Sequence, residues 1–447
     1  MTNSLRKSKE RDTFRKTFSS NRNNNHQKTG NKDDTRQIAF EAICQVMESS
    51  RSLDIAFETP LARQANIRDR SAAYRLANCV LRNKGSLDAV IEPFLQKSPP
   101  LQLKWILLLG SAQILFLDTP HHAAVDTSVN LARNNNLARF TGVVNAVLHK
   151  IIRQQPQILE GIDRARLNLP NWLWQSWSKA SFEPRKIAAC FDVEAPLDLT
   201  LRLGSMVPEG GVKLPNGSWR YPASTKVTTL QGFNEGQFWV QDFAATLPAL
   251  LLNGQPNEKI ADLCAAPGGK TAQLIQTGGK VTAVEKEEKR LRVLNNNLDR
   301  LHLSADIVHA DATKLEYRDY FDAILLDAPC SATGILRRHP DVLYLKKPKN
   351  IMTLVKMQRN LIHSVLLYLK PGGRFIYSVC SLQREEAEEQ AKWIESLPGV
   401  KGMPFEKEEI SFLPQALTKE GYIRTLPYFW LDQGGMDGFF MARFCRL

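Results

Sequence analysis

Three patterns of apolar and polar positions succeed one another along the 447 residues. From about residue 35 to 155 apolar residues recur at helical spacing, as in Ile38, Ala39, Ala42, Ile43 and Val46. Similar runs follow at Tyr74–Leu81, Leu87–Leu95, Leu101–Leu117, Ala123–Ala132 and Val143–Ile152. Pro93, Pro99, Pro100 and Pro120 punctuate them, so the region reads as an all-α domain. Residues 156 to about 255 are mixed. Pro196–Leu203 alternates like a strand, with Leu197, Leu199, Leu201 and Leu203 on one face, and Phe238–Leu252 resumes helical spacing. From 256 to 447 short apolar runs alternate with amphipathic segments such as Glu287–Arg300 and Asn350–Leu369. The runs are Lys259–Cys264, Lys280–Glu285, Asp306–Ala310, Phe321–Asp327 and Arg374–Val379. That alternation predicts an α/β domain, a parallel sheet covered on both faces, with ligands at the carboxyl ends of the strands.

Residues 1–34 fit none of these patterns. They hold nine basic residues against four acidic ones, are rich in Asn and Ser, and have almost no aliphatic residues. Such a tail cannot bury enough surface to order itself. It reads either as a nonspecific RNA-binding arm or as a solubilising extension. The whole chain carries a net charge of +13, which favours a polyanionic partner, most simply nucleic acid. The basic, polar N-terminus lacks an apolar h-region, and the apolar stretch Trp105–Leu117 is too short to span a bilayer. The expectation is a cytoplasmic protein without a membrane partner. Seven cysteines with no CxxC pair argue against disulfides or a zinc site. His121 and His122 read as a helix entry, and Trp172, Trp174 and Trp177 as packing between domains.

Chemistry concentrates at the predicted strand ends. The first run ends in DLCAAPGGK, residues 262–270, where Gly268 and Gly269 let the backbone approach a ligand before a helix starts. The second ends in Glu285, 23 residues after Asp262, the spacing of a ribose-binding acid in nucleoside-binding sheets. The third ends in Asp311. Three acids at successive strand ends form a nucleoside-shaped site that also suits a cation such as a sulfonium. The fourth run continues as FDAILLDAPCSATG and the fifth ends in YSVCS, so Cys330 and Cys380 both follow strand ends on the ligand side. A buried structural cysteine would more naturally lie mid-strand. Thiols suit methylation at carbon 5 of cytosine, a poor nucleophile until a thiolate adds at carbon 6. Asp327 can hold the ring nitrogen or the exocyclic amine of such a base.

These motifs resemble the signatures of the Sun/RsmB and NOP2/NSUN family of RNA (cytosine-5)-methyltransferases, from about residue 170 to the C-terminus. Residues 35–155 are similar to the NusB-like RNA-binding domain that precedes the core in the RsmB branch. The resemblance implies a Rossmann-type core, S-adenosylmethionine as donor and a cytosine of small-subunit (16S) ribosomal RNA as acceptor. It implies that Cys264, Ala265, Ala266, Pro267, Gly268, Gly269 and Lys270 cover the methionine part of the donor. Glu285 would take the ribose, Asp311 the adenine side, and Asp327 the region of the methyl group and target base. Cys380 matches the nucleophile and Cys330 the cysteine that assists release. Two positions depart from the pattern: Val379 stands where Thr usually precedes the nucleophile, and Glu285 where Asp is common.

Three other readings compete. An adenine or exocyclic-amine methyltransferase would carry an Asp/Asn-Pro-Pro-aromatic motif where this chain has DAPC. A catalytically silent RNA-binding assembly factor would need neither thiol. The same chemistry on transfer RNA or 23S RNA is open to the sequence; the NusB-like region favours small-subunit RNA. The protein is expected to act as a monomer.

Overall fold

The computed structural model describes residues 34–155 and 157–447. The basic tail read from the sequence therefore lies, but for its last residue, outside the described residues.

The N-terminal helices follow from their apolar stripes. They span Asp34–Ser49, Leu53–Ala56, Pro60–Gln64, Ile67–Ile91, Leu101–Leu115, His121–Asn134 and Thr141–Gln154, around a core from Ile38 to Ile151. Leu101–Leu115 is buried almost all round, from Leu103 through Ile114, as a central helix should be. His121 opens a helix directly after Pro120. The two runs at Tyr74–Leu81 and Leu87–Leu95 differ from the sequence reading: one 25-residue helix carries both as far as Ile91. The polar residues between them face a close neighbour. The Ser86 amide donates to Asn168 Oδ1 (2.8 Å), and a Cβ on Gly85 would lie 1.9 Å from the Leu167 carbonyl oxygen. Among the described residues no helix is long and apolar enough to cross a membrane.

A small antiparallel sheet follows, from β1 (Leu197–Leu201), β2 (Val212–Lys213), β3 (Trp219–Tyr221) and β4 (Phe238–Val240), ordered β2-β3-β1-β4. The alternation in β1 is real, but the strand ends at Leu201, short of the Leu203 that the pattern predicts. Leu199 is buried whereas Leu203 lies beyond the strand and is exposed. The opposite face is not solvent either: Asp198 is buried there, gripped by Nε and Nη2 of Arg220 at 2.7 Å each. The helical run expected over Phe238–Leu252 divides into β4 and a helix from Phe243, N-capped by Asp242.

The large sheet contains β5 (Lys259–Leu263), β6 (Lys280–Glu285), β7 (Asp306–His309), β8 (Phe321–Asp327), β9 (Leu369–Val379), β10 (Val400–Gly402), β11 (Ile423–Arg424) and β12 (Phe440–Arg446). Strands β7-β6-β5-β8-β9 are mutually parallel, a Rossmann-type α/β core. The fully parallel sheet expected from the alternation is extended by an antiparallel edge. There β12 pairs with β9, β10 and β11. Strand order reverses at β5, whose neighbours are β6 and β8, so the ligand crevice belongs at its carboxyl end.

The helical region docks on the segment that follows β8. Arg82 donates to the Arg337 carbonyl (2.8 Å), Tyr344 Oη to the Leu81 carbonyl (2.7 Å), and the Leu53 amide to Asp341 (3.0 Å). Trp177 is fully buried against Leu336, Leu343 and Leu382, packing between regions as its cluster suggested. Trp172 and Trp174 are only partly buried, and Trp174 is flanked by Arg166 and Arg185.

Candidate active site

A cavity of about 490 Å³ opens at the carboxyl ends of β5 and β8. Its floor is the loop after β5: Cys264, Ala265, Ala266, Pro267, Gly268, Gly269 and Lys270 all line it. Gly268 turns the chain at φ +103° into the helix Gly269–Ile275. Asp262, one residue before the end of β5, also faces the cavity and is fully buried. Thr271 Oγ1 donates to its Oδ2 at 2.6 Å, while Oδ1 has no partner. Burial pushes this carboxyl up to about 7. A buried acid with one unpartnered oxygen beside an apolar loop fits the ammonium or sulfonium end of S-adenosylmethionine. Cys264 is held as a thiol, its pKa pushed up to about 12 by burial and then by the charges of Glu285 and Asp327.

The β8–β9 register builds the reactive end. Asp327 pairs with Ser378 across the strands, and Ser378 Oγ donates to Asp327 Oδ1 at 2.8 Å. Lys270 Nζ donates to the other oxygen at 2.8 Å. Burial alone would lower the Lys270 ammonium; the charge and hydrogen bond of Asp327 outweigh it and raise it instead. One residue past β9 stands Cys380, on the cavity wall; three past β8 stands Cys330. The Gly334 amide donates to the Cys380 carbonyl (2.9 Å), drawing the two loops together. The thiols meet, Sγ to Sγ, at 3.5 Å. Cys330 lies well above the ordinary thiol range, through its hydrogen bond to Cys380, its burial, and the charges of Cys380 and Glu386. Lys270 and Arg338 both interact electrostatically with Cys380.

Besides Cys330, which meets the cavity wall through Cys380, two expected residues stand back from the lining. Glu285 is buried behind its floor: Oε2 accepts from the Ala266 amide (3.3 Å) and Oε1 from the Glu287 amide (3.0 Å). It shapes the loop from behind. Asp311 lies farther along the edge, bound to Lys286 Nζ (2.8 Å) and to Thr313, which hold its carboxyl below the usual range. The structure thus brings together residues 264–270, Asp327, Cys330 and Cys380, with Glu285 one layer behind and Asp311 outside the lining.

Several walls escaped the sequence reading. Arg290 follows Glu285 into the next helix and donates to the Ala266 carbonyl at 2.6 Å. Phe439, just before β12, and Arg338 close the cavity from distant parts of the chain, with no local signal to mark them. Arg337 is buried against Asp242, and Arg338 is bound to the buried Asp437. Arg338 also borders a second cavity of about 1010 Å³ between the helical region and the rest, lined by six arginines and four acidic residues.

Residues 249–445 match the family described as 16S rRNA methyltransferase RsmB/F, and residues 33–153 match the NusB family. The chain is similar to ribosomal RNA small subunit methyltransferase B of Shewanella oneidensis, 31% identical over 92% of this chain and 99% of the relative. Its namesake from Proteus mirabilis is 33% identical over 79% of this chain and 90% of that one. The crystal structure of PH0851 shares the fold, with a TM-score of 0.75 at 21% identity, over 94% of this chain and all of that one. The chain therefore belongs to the 16S rRNA methyltransferase RsmB/F family, an S-adenosylmethionine-dependent methyltransferase core joined to a NusB-family region.

Proposed function

We propose that the protein methylates carbon 5 of a cytosine in small-subunit ribosomal RNA through a covalent adduct to Cys380. One observation carries the reading: two thiols 3.5 Å apart beside a lysine–aspartate pair, at the carboxyl edge of the sheet. An amine methyltransferase needs no thiol there. A silent assembly factor would have no use for the pair.

The residues divide the work as follows. The target base leaves its stack and enters the pocket, at least cost from a loop. Cys380 gives up its proton to solvent and adds as thiolate through sulfur to carbon 6, and the carbon 5–carbon 6 π pair moves onto carbon 5. Asp327 accepts a hydrogen bond from the exocyclic amine, and the Lys270 ammonium faces the charge that spreads into the ring. S-adenosylmethionine, when bound, supplies an electrophilic methyl group and leaves as the neutral thioether. Carbon 5 then holds both methyl and proton. A base removes the proton, its electron pair re-forms the double bond, and Cys380 departs as thiolate. Cys330 suits this last step. Two of the influences that keep it protonated, the hydrogen bond and charge of Cys380, vanish once Cys380 is bonded to carbon. Its proton then comes off more easily at the stage where a base is wanted.

The RNA partner is supported by the net charge of +13, by the NusB-family region and by the relatives' names. The test is transfer of a tritiated methyl group to 16S RNA, followed by bisulfite sequencing of RNA from a deletion strain. One cytosine losing its protection supports the reading. Label entering only transfer or 23S RNA moves the substrate, and label on an exocyclic amine overturns the chemistry.

A further inference from the structure

Glu386 is a buried carboxylate with no part in the mechanism above. It lies seven residues past β9, fully buried, and four donors converge on it. The Ser331 amide donates to Oε1 at 2.9 Å and Gln358 Nε2 to the same oxygen at 3.1 Å. Ser331 Oγ and Ser381 Oγ donate to Oε2 at 2.5 and 2.6 Å. None of these partners is a cation. Burial lifts the carboxyl above its ordinary range, and the serine hydrogen bonds pull it back. A charge kept in such a place is expensive, and a neutral side chain would fill the space at less cost.

The placement of the donors gives the charge a use. Ser331 follows Cys330 and Ser381 follows Cys380 in the chain. Gln358 also donates to the carbonyl of Pro329, the residue before Cys330 (3.0 Å). Ser331 and Ser381 touch each other, Oγ to Oγ, at 2.9 Å. A single carboxylate therefore gathers the residue after each thiol and, through Gln358, the residue before one of them. The loops come from different strands, and beside the single backbone bond from Gly334 to Cys380 the Glu386 carboxylate ties together the residues that directly follow the two thiols. An acceptor-only carboxylate with about four lone-pair sites can take all four bonds at once.

We infer that Glu386 is a positioning residue for the reaction proposed above: it locks the Cys330 and Cys380 loops in register and so sets the distance between the two thiols. The inference rests on that functional reading for its use, but its geometry can be tested without RNA. Dibromobimane becomes fluorescent on bridging two nearby thiols, and Cys330→Ala defines the signal of this pair against the five other cysteines. Glu386→Ala removes every acceptor; Glu386→Gln keeps the shape but accepts at one atom only; Ser331→Ala removes one donor. In the full-length protein, Glu386→Ala should lower both the bridging rate and the single-turnover methyl-transfer rate at least tenfold. The donor Kd and the RNA KM should stay within twofold, because the loop after β5 is untouched. Should Glu386→Ala fail to fold, Glu386→Gln and Ser331→Ala decide, each expected to lower both rates at least threefold. Bridging and transfer at wild-type rates in the folded variants would overturn the inference. So would a loss matched by an equal loss of donor binding, the mark of a merely structural residue. If bridging falls as expected while the unmodified protein transfers no methyl group to RNA, the functional reading fails and the positioning role stands.

Discussion

Gly334 is where a single methyl group should do most to separate the two thiols. A Cβ at this position would lie 1.9 Å from the Gly438 carbonyl oxygen and 3.0 Å from that of Cys380. Both obstacles are backbone, so no side chain can swing aside. The loop must retreat by about 1 Å to reach even a tight contact. That movement strains two hydrogen bonds of 2.9 Å, from the Gly334 amide to the Cys380 carbonyl and from the Gly438 amide to the Gly334 carbonyl. Each is worth about 1 kcal/mol, and overpacking adds about 1–3 kcal/mol. Gly334→Ala should therefore cost up to about 3–5 kcal/mol in denaturant unfolding. A displacement of about 1 Å at reacting groups can cost on the order of a hundredfold in rate. Single-turnover methylation should fall by that order, while the donor Kd, set by the loop after β5, changes little. Stability within about 0.5 kcal/mol of the parent, the range of an ordinary surface change, together with an unaltered rate would refute the reasoning.

Asp262 makes donor binding pH-dependent. Its carboxyl, raised to about 7 by burial, must ionise to meet a cationic donor, so affinity should rise between pH 6 and 8, by up to about tenfold per unit below the free pKa. Calorimetry should detect a proton released on binding, and Asp262→Asn should flatten the profile; an unchanged profile in that variant removes the acid from the donor site. Lys270→Met strips the buried partner from Asp327, whose side chain is 30% exposed, and should cost about 1–3 kcal/mol. Lys270→Met/Asp327→Asn should recover part of that loss in urea unfolding; a double variant no better than additive would deny the coupling.

Much of the sheet was legible because its signals are local. The runs Lys280–Glu285 and Phe321–Asp327 are the strands β6 and β8 residue for residue, since buried parallel strands are continuously apolar and end where polar chemistry begins. The meeting of Cys330 and Cys380 followed from two thiols placed at neighbouring strand ends. What escaped depends on distant partners. β12 reads FMARFCR, and pairing with β9, β10 and β11, all separate segments of the chain, makes it an antiparallel strand. Asp311 stands at a strand end as Glu285 does, but Lys286 and Thr313 bind its oxygens and it does not line the cavity. Leu203 fitted the alternation of β1 but falls beyond its last paired residue, Leu201. Glu386 sits in the acidic run QREEAEEQ, where nothing distinguishes it from a solvated helix start until Ser331 arrives from another strand.

The covalent mechanism is tested most directly by exchanging each thiol for a methyl group and looking for protein linked to RNA. Cys380→Ala should bind donor and RNA but neither methylate nor form an adduct, because the attacking sulfur is gone. Cys330→Ala should attack and methylate, then stall before elimination, leaving a protein–RNA species that survives denaturing electrophoresis and disappears on RNase treatment. The reverse pattern, with Cys380→Ala trapping RNA and Cys330→Ala inert, would exchange the two roles; full activity in both variants with no trapped RNA would contradict the covalent mechanism.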